Sequence, residues 1–312
     1  MEGSCVRHRE SLLPLPSLCR VTRCVVALCA VLSAVSMVLG PSWWGSRAGA
    51  AVPSRVPRYL ALGGSSSVGV QPTVGDPSGR ATGDGYADDL AIQARREWPG
   101  LRLTRLGCPG ATTGTMLFGG GRCHYAGGSQ LSAADHFLRT HQQVRLLTVD
   151  VGFNDIRPCM VHQSVNQPCV SRGIDLVDQQ LPSILASVKA AAGAQVEIVG
   201  VGHYDPFVEA SLHGPAGDGF AAESVSTVEQ LNRTLQSIYR RFGVPMADVS
   251  TAFDMASTRT VDVHGTTEPE NAARVCALTW MCAPHPYGPN LHPNDAGYQV
   301  IAEALARLLP AG

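Results

Sequence analysis

Short apolar runs alternate with longer segments in which apolar residues recur at helical spacing along most of the chain after residue 55. Continuous apolar runs are typical of buried strands, and a repeat of roughly 3.6 residues is typical of helices that pack on a core. The apolar runs predict strands over residues 58–62, 101–106, 144–151, 195–200 and 244–249. The helical repeats predict helices over residues 86–98, 133–140, 174–192, 223–242 and 294–309. This alternation indicates an α/β fold with a mostly parallel sheet covered by helices on both faces.

Four clusters of small and polar residues follow predicted strands or precede the last predicted helix. They are GGSSS at 63–67, GCPGATT at 107–113, GFND at 152–155 and NLHPND at 290–295. In a parallel sheet the binding crevice lies beyond the carboxyl ends of the strands, so we expect these clusters to meet there. The four loops are therefore the predicted functional region.

Together the clusters contain the groups that acyl transfer to a serine needs. A serine hydroxyl is a weak nucleophile until a base takes its proton, and His292 can be that base because imidazole titrates near neutral pH. The oxyanion then needs fixed hydrogen-bond donors, for which the N–H groups of Ser65 and Gly110 and the side-chain amide of Asn154 are candidates. Since the pKa of a free imidazole is about 6.5, we expect activity to fall as the pH drops through that value.

Each of these residues also has a simpler interpretation. Ser65 alone could be a solvated loop serine, Gly110 a turn glycine, and Asn154 part of a turn that bonds its own backbone. Ser66 and Ser67 are expected to be turn residues. The presence of all the groups together, each at a strand end or helix start, favours catalysis.

Three other polar residues lie near the predicted strand ends. Asp155 is expected to brace its own loop, and His203 is a candidate residue of a pocket wall. Asp150 lies inside a strand pattern and needs a polar partner if it is buried.

The four clusters resemble the sequence blocks of the SGNH (GDSL-type) hydrolase family. That family has G-D-S after the first strand, a glycine in the second block, G-x-N-D in the third and a histidine near the end. The corresponding residues here are 63–65, 110, 152–155 and 292–294. The resemblance covers about residues 57–309, almost the whole predicted domain. The three local cysteine pairs described below are similar to those of secreted actinobacterial lipases and esterases of the family. It implies a flavodoxin-like three-layer α/β/α sandwich, the SGNH hydrolase fold, and hydrolysis of carboxylic esters.

The resemblance also implies a role for each matching residue. Ser65 would be the nucleophile that forms an acyl intermediate, and His292 would be the general base. The oxyanion hole would consist of Ser65 N–H, Gly110 N–H and the Asn154 amide. Neither a metal nor an organic cofactor is implied.

Two positions depart from the family pattern. The aspartate that precedes the nucleophile is Gly64 here, which gives the nucleophile turn more backbone freedom. The acid three residues before the histidine is Pro289 here. Asn290 cannot carry a negative charge, so we expect the backbone carbonyl of Pro289 to orient the ring of His292.

Two further residues could act in the triad but have simpler interpretations. Asp295 is expected to be an acid in the first turn of the last helix, where the helix dipole favours negative charge, with Asn294 as the N-cap. His285 lies in an irregular segment, where histidines are usually at the surface. We therefore expect His292 to be the base.

Composition adds limits on domain number and partners. The chain has 312 residues and a formal net charge of −1. Such a charge provides no electrostatic footprint for nucleic acid. We expect residues 51–312 to form one SGNH hydrolase domain, since about 260 residues are close to the largest size of a single core. We also expect a monomer.

Residues 1–50 have the pattern of an export segment. Basic residues precede an apolar stretch over 24–40, and the small residues Ala48-Gly49-Ala50 follow it. This order indicates a secretory signal peptide. An uncleaved anchor remains the alternative, which would attach the protein to a membrane. Both predict a secreted or cell-envelope protein.

Cysteine usage agrees with export. The chain has 10 cysteines, of which six lie after residue 50. An even number fits an oxidising compartment, although six cysteines allow 15 pairings. Because they occur as local pairs, we expect disulfides Cys108–Cys123, Cys159–Cys169 and Cys276–Cys282. The spacings do not fit a zinc site.

Two functions compete for this sequence. The first is an exported esterase or lipase acting on small-molecule, lipid or glycan esters. The second is a degenerate SGNH domain that binds an envelope glycan or lipid without turnover, because Gly64 and Pro289 depart from the family pattern. The motifs do not choose the acyl chain, and no amphipathic lid is evident, which favours short soluble esters.

Overall fold

The computed structural model describes residues 56–310, which form thirteen strands and nine α-helices. The strands are β1 (Arg58–Gly63), β2 (Val70–Thr73), β3 (Asp76–Ala81), β4 (Arg102–Arg105), β5 (Val144–Asp150), β6 (Met160–Val161), β7 (Ser164–Val165), β8 (Glu197–Val201), β9 (Met246–Ala247), β10 (Thr260–Val263), β11 (Thr266–Pro269), β12 (Thr279–Trp280) and β13 (Asn290–Pro293). The α-helices are α1 (Tyr86–Ala94), α2 (Thr113–Phe118), α3 (Gln130–Thr140), α4 (Phe153–Ile156), α5 (Gln167–Ala192), α6 (Pro215–Arg241), α7 (Val249–Ala252), α8 (Glu270–Leu278) and α9 (Asp295–Ala306). Short 3-10 helices cover Ser66–Val68, Arg157–Cys159 and Pro206–His213.

The central sheet has five strands in the order β4-β1-β5-β8-β9, and every neighbouring pair is parallel. This order is that of flavodoxin-like folds, in which the first strand lies between the second and the third. It brings the loops after β4, β1 and β5 side by side. The predicted positions of Gly110, Ser65 and Asn154 therefore share one edge of the sheet.

Helices cover both faces of the sheet. On one face Leu60 and Leu62 of β1 belong to a core that includes residues of α3, α5 and α6. On the other face Tyr59 and Ala61 belong to a core that includes residues of α1, α8 and α9. Burial on both faces explains why the strands appear as continuous apolar runs instead of alternating patterns. The predicted three-layer α/β/α sandwich is confirmed.

Two long helices begin earlier than their apolar repeats predicted. Helix α5 begins at Gln167, where the side chain of Asn166 caps it by accepting a hydrogen bond from Cys169 N at 3.0 Å. Helix α6 begins at Pro215. The first turns of these helices are largely exposed, so they carry no regular apolar repeat. The last strand of the sheet is shorter than predicted because Asp248 caps α7, which begins at Val249.

Three long segments outside most of the predicted strands and helices contain short elements. Residues 107–132 include α2, residues 157–172 include the β6–β7 hairpin, and residues 250–293 include α8 and two small β-ladders. Each segment contains one disulfide, and the pairs are Cys108–Cys123, Cys159–Cys169 and Cys276–Cys282. These are the pairs that proximity along the chain indicated.

The predicted export segment over residues 1–50, with its boundary at residue 51, lies outside the described residues. Among residues 56–310, no helix is both long enough and apolar enough to cross a membrane.

Candidate active site

The turn that carries Ser65 begins where β1 ends. Gly63 has a φ of +145°, and a Cβ there would lie 2.2 Å from the Asp150 carbonyl oxygen, so this position requires glycine. Gly64 N donates to the same carbonyl at 2.9 Å. The buried hydroxyl of Ser67 donates to Gly64 O at 2.7 Å. These bonds hold the turn without the aspartate that the family has at position 64.

Two backbone N–H groups beside this turn are free to bind an oxyanion. Within residues 56–310, neither Ser65 N–H nor Gly110 N–H donates a hydrogen bond to a protein acceptor. Gly110 adopts a φ of +81° in a turn closed by a bond from Ala111 N to Cys108 O of 2.9 Å. That left-handed backbone is why a glycine occupies the position.

Asn154 reaches the same region from the loop after β5. Its Nδ2 donates to Ala111 O at 3.0 Å, which uses one amide hydrogen and leaves the second for a ligand. The same nitrogen lies 3.1 Å from the point that a Cβ at Gly64 would occupy. A side chain at position 64 would therefore crowd the Asn154 amide.

Asp155 braces two of these loops, whereas the sequence indicated a brace of its own loop alone. Its carboxylate accepts hydrogen bonds from Thr113 N at 3.0 Å and from Thr113 Oγ1 at 2.7 Å, at the start of α2. Burial raises the pKa of Asp155 to about 6, although both bonds to Thr113 oppose that rise. The brace ties the loop after β4 to the loop after β5.

His292 lies in the middle of the extended segment β13, which pairs with β12. Side chains two residues apart in a strand point to the same side. Asn290 Oδ1 therefore lies 2.7 Å from His292 Nδ1, and it also accepts a hydrogen bond from His292 N at 3.0 Å. The expectation that the Pro289 carbonyl orients the ring was wrong, because an extended backbone brings position 290 beside the ring, with Pro289 exposed before the strand.

The hydrogen bonds of Asn290 determine which ring nitrogen carries the proton. Its Nδ2 donates to Pro77 O at 2.9 Å, in the β2–β3 hairpin, so its oxygen must face His292. A carbonyl oxygen can only accept, and Nδ1 must therefore carry the hydrogen. His292 Nε2 is left unprotonated, as a general base requires.

Other residues near His292 hold structural positions. The Tyr204 hydroxyl donates to Leu291 O at 2.6 Å, which anchors β13 to the loop after β8. Asn294 caps α9 by accepting from Gly297 N at 3.0 Å, as predicted. Asp295 accepts a bond from Gln71 Nε2 at 2.8 Å, and His285 is exposed in a turn. These contacts agree with the structural role predicted for Asp295.

The pKa of His292 differs from that of a free imidazole, on which the expected pH dependence was based. Burial, and secondly the positive charge of Arg157, lower the pKa of His292 to about 4. Asn290 is neutral and provides no charge to oppose these effects. The ring is therefore unprotonated well below pH 6.5.

Ser65, Asn154 and Leu291 line one cleft at the carboxyl edge of the sheet. In the described part of the chain, the hydrogen bonds of His292 are those with Asn290, and none joins its ring to Ser65 Oγ. In enzymes without substrate this bond is often long and tightens on binding. The cleft is also lined by Tyr86, Asp150 and His203.

His203, a candidate residue of a pocket wall, does line the cleft. The contributions of Tyr86, Ser67 and Asn290 were missed. Only Asn290 had a signal in the sequence, namely its spacing of two residues from His292, but that spacing becomes informative only if the segment is known to be a strand.

Residues 56–310 contain no evident metal-binding site. No group of three or more His, Cys, Asp or Glu side chains there is arranged to hold a metal ion.

Comparison with known proteins supports the fold and the family. The family model described as GDSL-like lipase/acylhydrolase matches residues 61–300. The extracellular lipase from Streptomyces rimosus superposes with a TM-score of 0.53 and 20% identity, over 81% of this chain and 100% of that chain. No curated protein matches the chain.

Two other solved structures are similar at a lower level. Phospholipase A1 from Streptomyces albidoflavus NA297 has a TM-score of 0.48 and 19% identity, over 81% of this chain and 98% of that chain. An acetylxylan esterase from Geobacillus stearothermophilus has a TM-score of 0.48 and 18% identity, over 80% of this chain and 93% of that chain.

Proposed function

Since the chain belongs to the GDSL-like lipase/acylhydrolase family and is therefore a carboxylic ester hydrolase, we propose that it works through an acyl-Ser65 intermediate with His292 as the general base. The observation that carries this proposal is the convergence of free donors at the nucleophile turn. Ser65 N–H, Gly110 N–H and the second amide hydrogen of Asn154 are all without a protein acceptor in residues 56–310. Such donors are what a developing oxyanion needs.

In the proposed reaction, Ser65 Oγ attacks the ester carbonyl while His292 Nε2 takes its proton. The tetrahedral oxyanion is bound by the three donors, and the alcohol leaves with the proton from His292. Water, activated by the same nitrogen, then attacks the acyl-Ser65 carbonyl and releases the acid. Asn290 acts as a positioning residue that holds Nδ1–H, so the triad has the neutral third member found in Cys-His-Asn enzymes.

We also propose that the enzyme is exported and acts as a secreted or cell-envelope protein, with residues 51–312 as its catalytic domain. The basic, apolar and small-residue segments at the start of the chain support this proposal. The three disulfides support it too, because such bonds persist in oxidising compartments. Small-molecule, lipid or glycan esters outside the cytoplasm are then the substrates.

Covalent labelling tests the mechanism directly. The full chain, purified with its disulfides intact, is treated with a fluorophosphonate probe, and the adduct is located by mass spectrometry. We expect the adduct on Ser65, no adduct in Ser65→Ala, and slower labelling in His292→Ala. The neighbouring Ser66→Ala variant is the matched control and should still be labelled.

The degenerate-binder alternative makes a different prediction. A folded protein that neither reacts with the probe nor hydrolyses any ester would contradict the proposed mechanism. Saturable binding of a glycan or lipid by that unreactive protein would then support the alternative.

A further inference from the structure

The buried part of the active-site cleft contains three polar side chains that the hydrolytic mechanism does not use. These are Asp150, Tyr86 and His203, and we call the space that they line the inner chamber. The nucleophile turn, through Gly64 and Ser65, lines the same cleft. The chamber therefore adjoins the serine that would hold an acyl group.

The carboxylate of the chamber is buried and weakly paired. Asp150 is 5% exposed and Tyr86 is fully buried. Within the described residues, neither Asp150 Oδ2 nor the Tyr86 hydroxyl has a hydrogen bond of normal geometry, although the Tyr86 hydroxyl and Ser67 N–H lie close enough to the carboxylate to lower its pKa. Buried polar groups are nearly always well paired in proteins, so a weakly paired carboxylate in the wall of a cleft is a candidate group for binding a ligand.

His203 adds another acceptor to the chamber. Its Nε2 lies 3.3 Å from Val151 O, which can only accept, so Nε2 carries the hydrogen of the neutral ring. Nδ1 is then unprotonated and lies 3.9 Å from Asp150 Oδ1, beyond hydrogen-bond distance. Burial lowers the pKa of His203 to about 4, which keeps this ring neutral.

The chamber is consequently rich in acceptors and poor in donors. It presents both oxygens of Asp150 and the Nδ1 of His203, whereas the Tyr86 hydroxyl is the one donor among these groups. In the part of the chain that the structure describes, no Lys or Arg side chain lines the cleft. Burial raises the pKa of Asp150 to about 7, although hydrogen bonding from the Tyr86 hydroxyl and Ser67 N–H opposes that rise. A bound cation would stabilise the carboxylate.

We propose that the inner chamber binds an ammonium group on the acyl part of the substrate, so that the enzyme prefers esters of short amino acids to esters of simple fatty acids. This inference rests on the proposed acyl-Ser65 mechanism. An ammonium donates three hydrogen bonds and carries the charge that a desolvated carboxylate requires.

The acyl group is the part of the substrate that fits this location. It stays bonded to Ser65 after the alcohol leaves, while the alcohol must diffuse away before water attacks. Gly63, two residues before the nucleophile, pairs with Asp150 in the sheet, so a short chain spans the distance. Val201, Val249 and Ile301 line the remaining wall and suit methylene groups.

Isosteric esters test this preference at about pH 7, where a short amino ester is largely protonated. Ethyl β-alaninate, ethyl 3-hydroxypropionate and ethyl butyrate have the same chain length and differ in the terminal group. We expect kcat/KM for the β-alaninate to exceed that for the butyrate by about tenfold or more, because a hydrogen bond to a charged group is a strong one. The hydroxypropionate should fall between them.

The Asp150→Asn variant identifies the group responsible. It keeps the shape of the side chain and removes its charge, so the preference for the β-alaninate should fall to near one. The preference is the ratio of the two kcat/KM values measured for the same variant, and labelling of Ser65 shows that the variant still folds. Tyr86→Phe removes only the hydroxyl beside Asp150, and it should change the same preference if Asp150→Asn does not fold.

Binding provides a second readout that does not depend on turnover. In Ser65→Ala, β-alanine should bind measurably by calorimetry and butyrate should bind more weakly, and Asp150→Asn should remove that difference. Equal kcat/KM values for the three esters in wild type, or a preference that both variants retain, would show that the chamber holds only water. A higher rate for the hydroxypropionate than for the β-alaninate would overturn the choice of an ammonium. Loss of both Ser65 labelling and all ester hydrolysis would instead contradict the proposed function itself.

Discussion

The side of the site that we propose to bind the oxyanion, called the oxyanion side, is built from loops that follow neighbouring strands. The side around His292, called the histidine side, is held by residues from distant parts of the chain. On the oxyanion side, Asn154 bonds to Ala111 over a separation of 43 residues, and both loops extend from one edge of the sheet. On the histidine side, Asn290 bonds to Pro77 over a separation of 213 residues. The anchor from Tyr204 to Leu291 comes from yet another loop, 87 residues away.

This difference shows that the two sides depend on different kinds of structure. Once the sheet forms, its strand order brings the proposed oxyanion donors together, and the turns need glycine at Gly63, Gly110 and Gly152, where φ is positive. The orientation of His292 depends on packing between the β2–β3 hairpin, the loop after β8 and β13. Changes far from the reacting atoms should therefore affect the histidine side more than the oxyanion side.

The largest effect among the variants below is expected on the oxyanion side. Asn154→Ala should lower kcat by about 100- to 1,000-fold with little change in KM, because its free amide hydrogen acts on the oxyanion and not on the bound ester. Steady-state kinetics on a short 4-nitrophenyl ester measure both constants. Thr113→Val is the control, since it removes a bond between the same two loops without removing an oxyanion donor. A loss of kcat no larger than in the control would contradict the assignment.

Asn290 is the most informative position on the histidine side. Asn290→Ala should lower kcat/KM by about 10- to 100-fold, because Nδ1–H loses its acceptor and the ring its orientation.

Asn290→Asp should not improve the enzyme, although a carboxylate is the usual third member of a triad. One of its oxygens would face the Pro77 carbonyl, where the amide donates at 2.9 Å, and the hairpin contact would become repulsive. We expect lower stability in urea and activity below wild type. An aspartate variant as stable and as active as wild type would show that the hairpin contact does not select the amide.

The pH dependence of kcat/KM distinguishes a buried histidine whose partner is neutral from a solvated histidine. The base acts when unprotonated, and the pKa of His292 is lowered to about 4. Activity should therefore persist as the pH falls through 6.5 and decline near pH 4, provided that circular dichroism shows the protein still folded. Arg157→Ala removes a positive charge and should move the decline to higher pH. A decline centred near pH 6.5 in wild type would contradict this account of the site.

The smallest effect is expected from the anchor of β13. Tyr204→Phe leaves the Leu291 carbonyl without its donor, which should cost about 1 kcal/mol of unfolding free energy and lower kcat/KM a few-fold. Tyr239→Phe is a matched control, because it removes a comparable bond of 2.9 Å to Val149 O in the central sheet, away from His292 and the β2–β3 hairpin. Urea titration should show similar losses of stability in both variants. Equal changes in kcat/KM would indicate that neither hydroxyl acts through His292.

Much of the fold could be predicted because its signals are local. The strands over 58–62 and 144–151 appeared as continuous apolar runs since both faces of the sheet are covered. The starts of α5 and α6 were predicted too late because their first turns are exposed and lack an apolar repeat. Helix α7 was missed for a related reason: a cap at Asp248 ends the apolar run after two residues of strand.

The residues of the candidate site were likewise predictable where their signal is local and not where it depends on contacts. Ser65, Gly110, Asn154 and His292 were identified from short motifs whose place relative to a strand or helix determines where they lie. The partner of His292 was assigned incorrectly to Pro289, because a spacing of two or three residues has no meaning until the backbone conformation is known. Asp150 was recognised only as a residue that needs a partner.

By itself, the sequence determined the order of strands and helices, the parallel sheet and the loops that meet at its edge, since these follow from periodicity and from turns a few residues long. Only the tertiary structure decided which neutral side chain orients His292, which bonds replace the missing aspartate at Gly64, and which groups surround Asp150. The physical reason is that hydrogen bonds and desolvation depend on atoms within a few ångströms. Those atoms come from segments as far apart as Pro77 and Asn290, which only packing brings together.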